Sequence, residues 1–260
     1  MVNKMAKSKA SISTRMAPFL RKNRGIILAY DQGLEHGPSK DFNEKNVDPS
    51  AIIDIAEKGG FTGLVFQKGV AENYYRGKVP LILKLNGKTS LPGGDPFARQ
   101  LCSVKQAIDI GAKAVGYTIY PGSTYEHEML AEFGKIQEEA HRAGIPVLAW
   151  VYPRGTSIKN DTASDIVAYA ARVGLEAGAD AVKIKYSGDK ESFSWAVKSA
   201  GKAKVFMSGG PKAPTDEDFL NQVRGVIEAG ATGIAVGRNV WQNDDPLKMA
   251  SALRKIIFNE

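Results

Sequence analysis

The chain has 260 residues, 43% of them hydrophobic and 24% charged, an ordinary globular balance that fits one large α/β domain or two small ones. No apolar run is long enough to span a bilayer, and the single Cys102 excludes an internal disulfide framework. The net charge of +7 does not describe a nucleic-acid surface: residues 1–24 hold seven basic residues and no acid, which leaves 28 basic against 28 acidic residues elsewhere. That arm lacks the apolar stretch of a secretory signal and reads as a solvated tail followed by a short helix from Met16 to Lys22. Composition therefore predicts neither a nucleic-acid nor a membrane partner, and a cytoplasmic location.

From Gly25 onward short apolar runs alternate with amphipathic stretches. The runs are Ile26–Tyr30, Leu64–Gln67, Leu81–Leu85, Ala114–Tyr120, Val147–Tyr152, Ala181–Lys185, Val205–Ser208 and Gly233–Val236. They are nearly continuously apolar, as parallel strands covered on their outer face are. Between them the helical pattern covers Pro49–Lys58, Val70–Tyr75, Val104–Ile110, Tyr125–Ala143, Ala163–Ala177, Glu191–Ala200, Thr215–Ala229 and Pro246–Phe258. Asp161 or Thr162 is placed to cap the fifth helix, and Thr215 with Asp218 to form a capping box on the seventh. Eight strand–helix units in series predict a single TIM (β/α)8 barrel over residues 25–260, preceded by the basic arm over 1–24. An open doubly wound sheet is disfavoured, because no early glycine-rich dinucleotide fingerprint is present. The longest non-helical stretches, Asp31–Asp48 and Asn86–Gln100, follow strands and so belong to the barrel's C-terminal face, where active sites form.

Candidate chemistry gathers at the strand ends. In Ala181–Lys185, alternation puts Lys183 and Lys185 on one face of a buried strand. Lysine does not occupy such a position for packing reasons, and burial with a like-charged neighbour lowers an ammonium pKa, which makes the amine a nucleophile for carbonyl carbon. Ser208-Gly209-Gly210-Pro211 and Gly237-Arg238-Asn239 follow the seventh and eighth strands, the usual place of a phosphate site in this architecture. Tight turns alone would also account for these glycines. Asp31 ends the first strand, with Glu35 and His36 in its loop, and Trp150 and Tyr152 share a face of the fifth. Lys84 on the third strand is within reach of the same site. His36, His127 and His141 with one cysteine give no closely spaced ligand set, so no metal or other cofactor is expected; His127 and His141 fall on the long fourth helix, where exposure is the default.

Six segments taken together carry a family resemblance: Tyr30-Asp31-Gln32-Gly33-Leu34-Glu35-His36-Gly37-Pro38, Leu83-Lys84-Leu85-Asn86-Gly87, Trp150-Val151-Tyr152-Pro153-Arg154-Gly155, Val182-Lys183-Ile184-Lys185, Met207-Ser208-Gly209-Gly210-Pro211 and Val236-Gly237-Arg238-Asn239-Val240-Trp241. From about Ile26 to the last helix the chain resembles archaeal-type class I fructose-1,6-bisphosphate aldolases, of the DhnA/DeoC-like Schiff-base group. The resemblance implies a TIM barrel that reversibly cleaves fructose 1,6-bisphosphate to dihydroxyacetone phosphate and glyceraldehyde 3-phosphate, a step of glycolysis and gluconeogenesis, without a metal. By motif match it implies Lys183 as the Schiff-base lysine, Tyr152 as catalytic tyrosine and Asp31 as catalytic aspartate. It implies Ser208, Gly209, Gly210, Gly237 and Arg238 as holders of the C1 phosphate, and a homo-oligomer such as a decamer of pentamers. Gln32 stands where other members can carry a histidine.

Of the remaining candidates, Lys185 would keep Lys183 neutral, or contact a phosphate or an acidic partner; Trp150 would shape the pocket wall; Arg154 would contact the second phosphate. The competing expectations are a related Schiff-base barrel enzyme, such as 2-amino-3,7-dideoxy-D-threo-hept-6-ulosonate synthase or autoinducer-2 thiolase, and a phosphate-binding isomerase barrel that would have no use for Lys183.

Overall fold

Each apolar run is a strand in the computed structural model, which describes residues 10–37 and 41–260. The barrel strands are β1 (Gly25–Ala29), β2 (Gly63–Gln67), β3 (Leu81–Lys84), β4 (Ala114–Ile119), β5 (Val147–Val151), β6 (Ala181–Ile184), β7 (Lys204–Ser208) and β8 (Gly233–Val236). All are parallel, spatial order follows chain order, and β1 closes the ring by pairing with both β2 and β8. The covering helices are α1 (Pro49–Gly59), α2 (Lys68–Tyr74), α3 (Val104–Asp109), α4 (Glu126–Ala143), α5 (Ser164–Glu176), α6 (Lys190–Ser199), α7 (Asp216–Glu228) and α8 (Pro246–Phe258). The loop after β1 carries a one-turn helix, Gly33–His36, and the loop after β3 is pinned by a short antiparallel pair, Asn86–Gly87 with Arg99–Gln100.

Strand alternation divides the apolar residues into two cores. Ile26 and Leu28 of β1 point outward to the helices, while Ile27 and Ala29 point inward with Val65, Ile82, Leu148 and Phe206. The inner core is completed by residues before the barrel. The helix Ile12–Met16 and the 3-10 turn Ala17–Phe19 place Met16 and Phe19, both fully buried, in the inner core beneath the strands.

Four local expectations are corrected. The N-terminal helix is not Met16–Lys22: it ends at Met16, because Pro18 starts a tighter turn and Lys22 and Asn23 adopt positive φ of 51° and 61°. The fifth helix is capped by neither Asp161 nor Thr162; its N-cap is Ala163, and Asp161 is instead ion-paired with Lys185. His141 is not a solvated helix residue, since its Nε2 meets Asp180 Oδ2 at 2.7 Å. The Thr215–Asp218 cap is present: Thr215 Oγ1 accepts from the Asp218 N–H at 3.1 Å. Lys4, Lys7, Lys9 and Pro38 lie outside the described residues, as do residues 1–9 of the expected solvated tail. Its later part is not a solvated tail, since Ile12–Met16 is helical and Arg15 is ion-paired with Asp180. Among the described residues no helix is long and apolar enough to cross a membrane.

Candidate active site

The strands' C-terminal ends surround a cavity of about 340 Å³, a size suited to a small phosphorylated molecule. Its lining contains every site residue read from the sequence: Asp31, Lys84, Trp150, Tyr152, Arg154, Lys183, Lys185, Ser208, Gly209, Gly210, Gly237 and Arg238.

Lys183 sits inside the barrel with 7% exposure, and among the described residues no hydrogen bond or ion pair reaches its Nζ. Register explains its neighbours. Trp150 of β5 pairs with Lys183 of β6, and the Trp150 indole leans over β4, where a Cβ on Gly116 would lie 2.4 Å from the ring. Only glycine leaves that space. Gly116 is in turn the register partner of Lys84 on β3. One indole therefore separates two buried amines, with Lys183 Nζ 5.0 Å and Lys84 Nζ 5.7 Å from its centroid.

Burial pushes the Lys183 pKa down and the Arg238 cation adds to the effect, while Asp31 opposes it. Lys84 is lowered to about 8, chiefly by burial and further by Lys183, against the pull of Asp31 and Glu35. Lys84 Nζ is held by the Asn86 backbone oxygen at 2.9 Å and Oδ1 at 2.8 Å. Asn86 is itself fixed by bonds to Ala98 O and Thr118 O, both 2.9 Å. Lys84 is thus a buried amine bonded to neutral oxygens, away from the glycine loops.

Lys185 lines the same cavity as Lys183. It lies one residue beyond the end of β6 at Ile184, keeps 27% side-chain exposure and pairs with Asp161. Asp161 is an acidic partner of the kind expected for it, and the groups that depress Lys183 are burial and Arg238.

Tyr152 follows the end of β5 and donates to Ser208 Oγ at 3.1 Å, which ties the fifth strand to the glycine loop of the seventh. Burial raises its phenol pKa well above the ordinary value, so the hydroxyl is held protonated. Asn239, read from the sequence only as part of the loop after the eighth strand, fastens the two glycine loops together: Nδ2 donates to Gly209 O at 2.7 Å and Pro211 O at 3.0 Å, and Oδ1 accepts from Ala213 N at 2.8 Å. Its signal was its place directly after Arg238, since a side-chain amide in a tight turn commonly bonds backbone. Asp41 was also missed. Its Oδ2 lies 3.3 Å from Arg238 Nη1 and 2.8 Å from His36 Nδ1. Burial alone would raise that carboxyl, but the His36 hydrogen bond and the Arg238 charge outweigh it and hold the pKa low. Among the described residues no group of three or more His, Cys, Asp or Glu side chains is placed to hold a metal ion.

Comparison with known proteins agrees with this geometry. The family described as DeoC/LacD family aldolase matches residues 25–243. A fructose-bisphosphate aldolase class 1 from Thermoproteus tenax is 58% identical over 242 residues, 92% of each chain. The protein of that name from Halobacterium salinarum is 46% identical over 249 residues, 94% of each chain. A solved archaeal fructose-1,6-bisphosphate aldolase, with its catalytic lysine covalently bound to the carbinolamine intermediate of the substrate, is 54% identical. It superimposes with a TM-score of 0.92 over 95% of this chain and 100% of its own. With an eight-stranded barrel, a buried lysine at its mouth and these relatives, the chain belongs to the DeoC/LacD family of aldolases.

Proposed function

We infer that the chain is a class I, Schiff-base fructose-1,6-bisphosphate aldolase, a lyase that interconverts that sugar with dihydroxyacetone phosphate and glyceraldehyde 3-phosphate. The observation that carries the reading is Lys183: a buried amine, lowered in pKa and without a hydrogen bond or ion pair among the described residues, in the cavity that the glycine loops and Arg238 also line. An isomerase would have no use for it. The names of the T. tenax and H. salinarum relatives support the substrate, and the solved relative's lysine-bound carbinolamine supports the chemistry.

In the proposed cycle, the Lys183 amine attacks the C2 ketone and gives a carbinolamine. Asp31 assists the proton transfers as water leaves, and the resulting iminium accepts the electron pair of the C3–C4 bond. As the C3–C4 bond breaks, the C4 hydroxyl proton passes to the Tyr152 oxygen while the phenol's own proton goes to C3 of the enamine, so the group is protonated before and after, as its burial demands. Water then adds to the remaining iminium and frees dihydroxyacetone phosphate and the Lys183 amine. Ser208, Gly209, Gly210, Gly237 and Arg238 hold the C1 phosphate, and Arg154 contacts the phosphate at the far end. Fixing C2 against the amine in this way contributes on the order of several kcal/mol. Trp150 forms the wall between the amines, Lys84 contacts the sugar, and Lys185 borders the pocket as the partner of Asp161.

The catalytic unit is residues 25–260. A homo-oligomer, a decamer of pentamers, is the proposed assembly in the cytoplasm, and the exposed Tyr169 and Trp195 on α5 and α6 are candidates for its contacts. Native mass spectrometry tests the assembly.

The test of the reaction is borohydride trapping with dihydroxyacetone phosphate, followed by peptide mass spectrometry. The expected result is one reduced adduct on Lys183, formed equally well in EDTA. An adduct elsewhere, or none, overturns the mechanism.

A further inference from the structure

Both ends of the cavity are cationic, and at both ends the arginine is already held by a carboxylate. At the glycine-loop end this is Asp41 beside Arg238. At the opposite end Glu35 Oε1 accepts from Arg154 Nη1 at 2.9 Å and lies 3.7 Å from Lys88 Nζ. Three loops meet at that oxygen: Glu35 stands on the one-turn helix after β1, Lys88 just beyond β3, and Arg154 just beyond β5. Gly87 makes the approach possible. Leu34 fills the space where a Cβ on Gly87 would stand 2.4 Å from its Cδ2, which seats the first loop directly on the third.

The arrangement is poorly suited to stabilising the fold. The three side chains keep 24%, 20% and 34% exposure, and a partly solvated ion pair contributes little. Lys88 is loosely held: among the described residues it donates otherwise only to the Thr89 carbonyl, at 3.1 Å. Arg154, by contrast, is set in place: its guanidinium carbon lies 5.5 Å from the Tyr120 ring centroid and 5.6 Å from that of Tyr152. A fixed guanidinium and a loose ammonium around one displaceable carboxylate, all lining the cavity, form a receptor for a second anion. A phosphate dianion offers more charge and more acceptor oxygens than the carboxylate it would replace.

We propose that Glu35 stands in for the substrate's second phosphate: it holds Arg154 and Lys88 together in the free enzyme and yields them to the incoming dianion, which makes Lys88 and Glu35 determinants of selection for bisphosphorylated over monophosphorylated ketoses. This rests on the aldolase reading above. It has a directional consequence. Lys88 favours the second phosphate, whereas Glu35 competes with it, so their removal shifts selectivity in opposite senses.

The experiment is steady-state kinetics of Lys88→Met, Lys88→Arg and Glu35→Gln on fructose 1,6-bisphosphate and fructose 1-phosphate. The Lys88→Met change should lower the bisphosphate-to-monophosphate ratio of kcat/KM about tenfold, mainly through KM, with Lys88→Arg largely retaining it. Glu35→Gln should raise that ratio about threefold, by lowering KM for the bisphosphate. A fall in the ratio for Glu35→Gln, as expected if Glu35 merely supports Arg154, overturns the proposal. So does an unchanged ratio for Lys88→Met. Should Lys88→Met not fold, the sign seen with Glu35→Gln decides. Dihydroxyacetone phosphate carries only one phosphate, so its borohydride adduct on wild-type Lys183 separates the two failures. No adduct counts against the aldolase reading; an adduct with ratios moving the wrong way counts against the role of Glu35 alone.

Discussion

At the base of the barrel, Asp180 has no exposed surface and all its contacts are matched. Arg15 Nε donates to Oδ1 at 2.9 Å, and the Val147 N–H and His141 Nε2 meet Oδ2 at 2.9 and 2.7 Å. At the mouth, Lys183 is nearly as deeply buried but among the described residues has no such partner, and Lys84 is bonded there only to the neutral Asn86. The same strands carry both ends, since Asp180 precedes β6 and Lys183 lies on it. A buried charge ringed by opposite charge and hydrogen bonds holds the molecule together; one left without them costs stability, and its retention marks chemistry. Three residues along one chain separate the two cases.

Substitutions at each end test that contrast. The largest effect belongs to the mouth: Lys183→Met should reduce turnover at least about a thousandfold, roughly 4 kcal/mol of barrier, and abolish the trapped adduct. The same variant should melt no lower than the wild type, because removing an uncompensated buried amine relieves a cost. A large drop in melting temperature would break the contrast.

At the base, Asp180→Asn should do the reverse. It should lose about 3 kcal/mol of stability in denaturant titration, while the folded fraction keeps its activity. Burial alone would raise the Asp180 carboxyl, but hydrogen bonds from His141, Arg15 and Val147 overcome it and lower the pKa. The sign follows from linkage: the contribution of Asp180 is fully present above the unfolded carboxylate pKa of about 4 and is lost as pH falls through the lower folded value. Wild-type stability should therefore decline more steeply below about pH 4 than that of Asp180→Asn.

The smallest effect is expected at Asp161, whose pair with Lys185 is partly exposed. Asp161→Asn should cost less than about 1 kcal/mol. It should leave the pH dependence of trapping at Lys183 in place, because Lys185 is not among the groups that depress that amine.

What could be read without coordinates was what strand periodicity and loop order encode. Lys183 was found because alternation in a short apolar strand gives a side chain its direction, and Ser208 to Pro211 with Gly237 to Asn239 because barrel order gives those loops a fixed place. The same alternation brought Lys185 to the same cavity, although β6 ends one residue before it. Asp161 was misread as a helix cap because a free carboxylate before a helix looks the same in sequence whether it faces a backbone N–H or a lysine 24 residues away. Arg15, His141 and Asp180 were invisible as a set: their union joins segments 165 residues apart, and nothing local to any one of them announces the others. Lys88 and Glu35 failed for the same reason, since their meeting depends on Leu34 resting where Gly87 has no side chain.

The seal at the base also bears on the order in which the chain folds. Met16 and Phe19 rest on a surface built from strands all around the ring, and Arg15 clasps a carboxylate that arrives with β6. A site of that kind does not exist until most of the barrel has closed, and contacts of such sequence separation carry a heavy loop-closure cost. The earliest described segment of the chain is therefore expected to be the last to dock, converting an open ring into the native state in a late step. Its protection from hydrogen exchange should appear after that of β1 to β6 during refolding, though it precedes them all in synthesis.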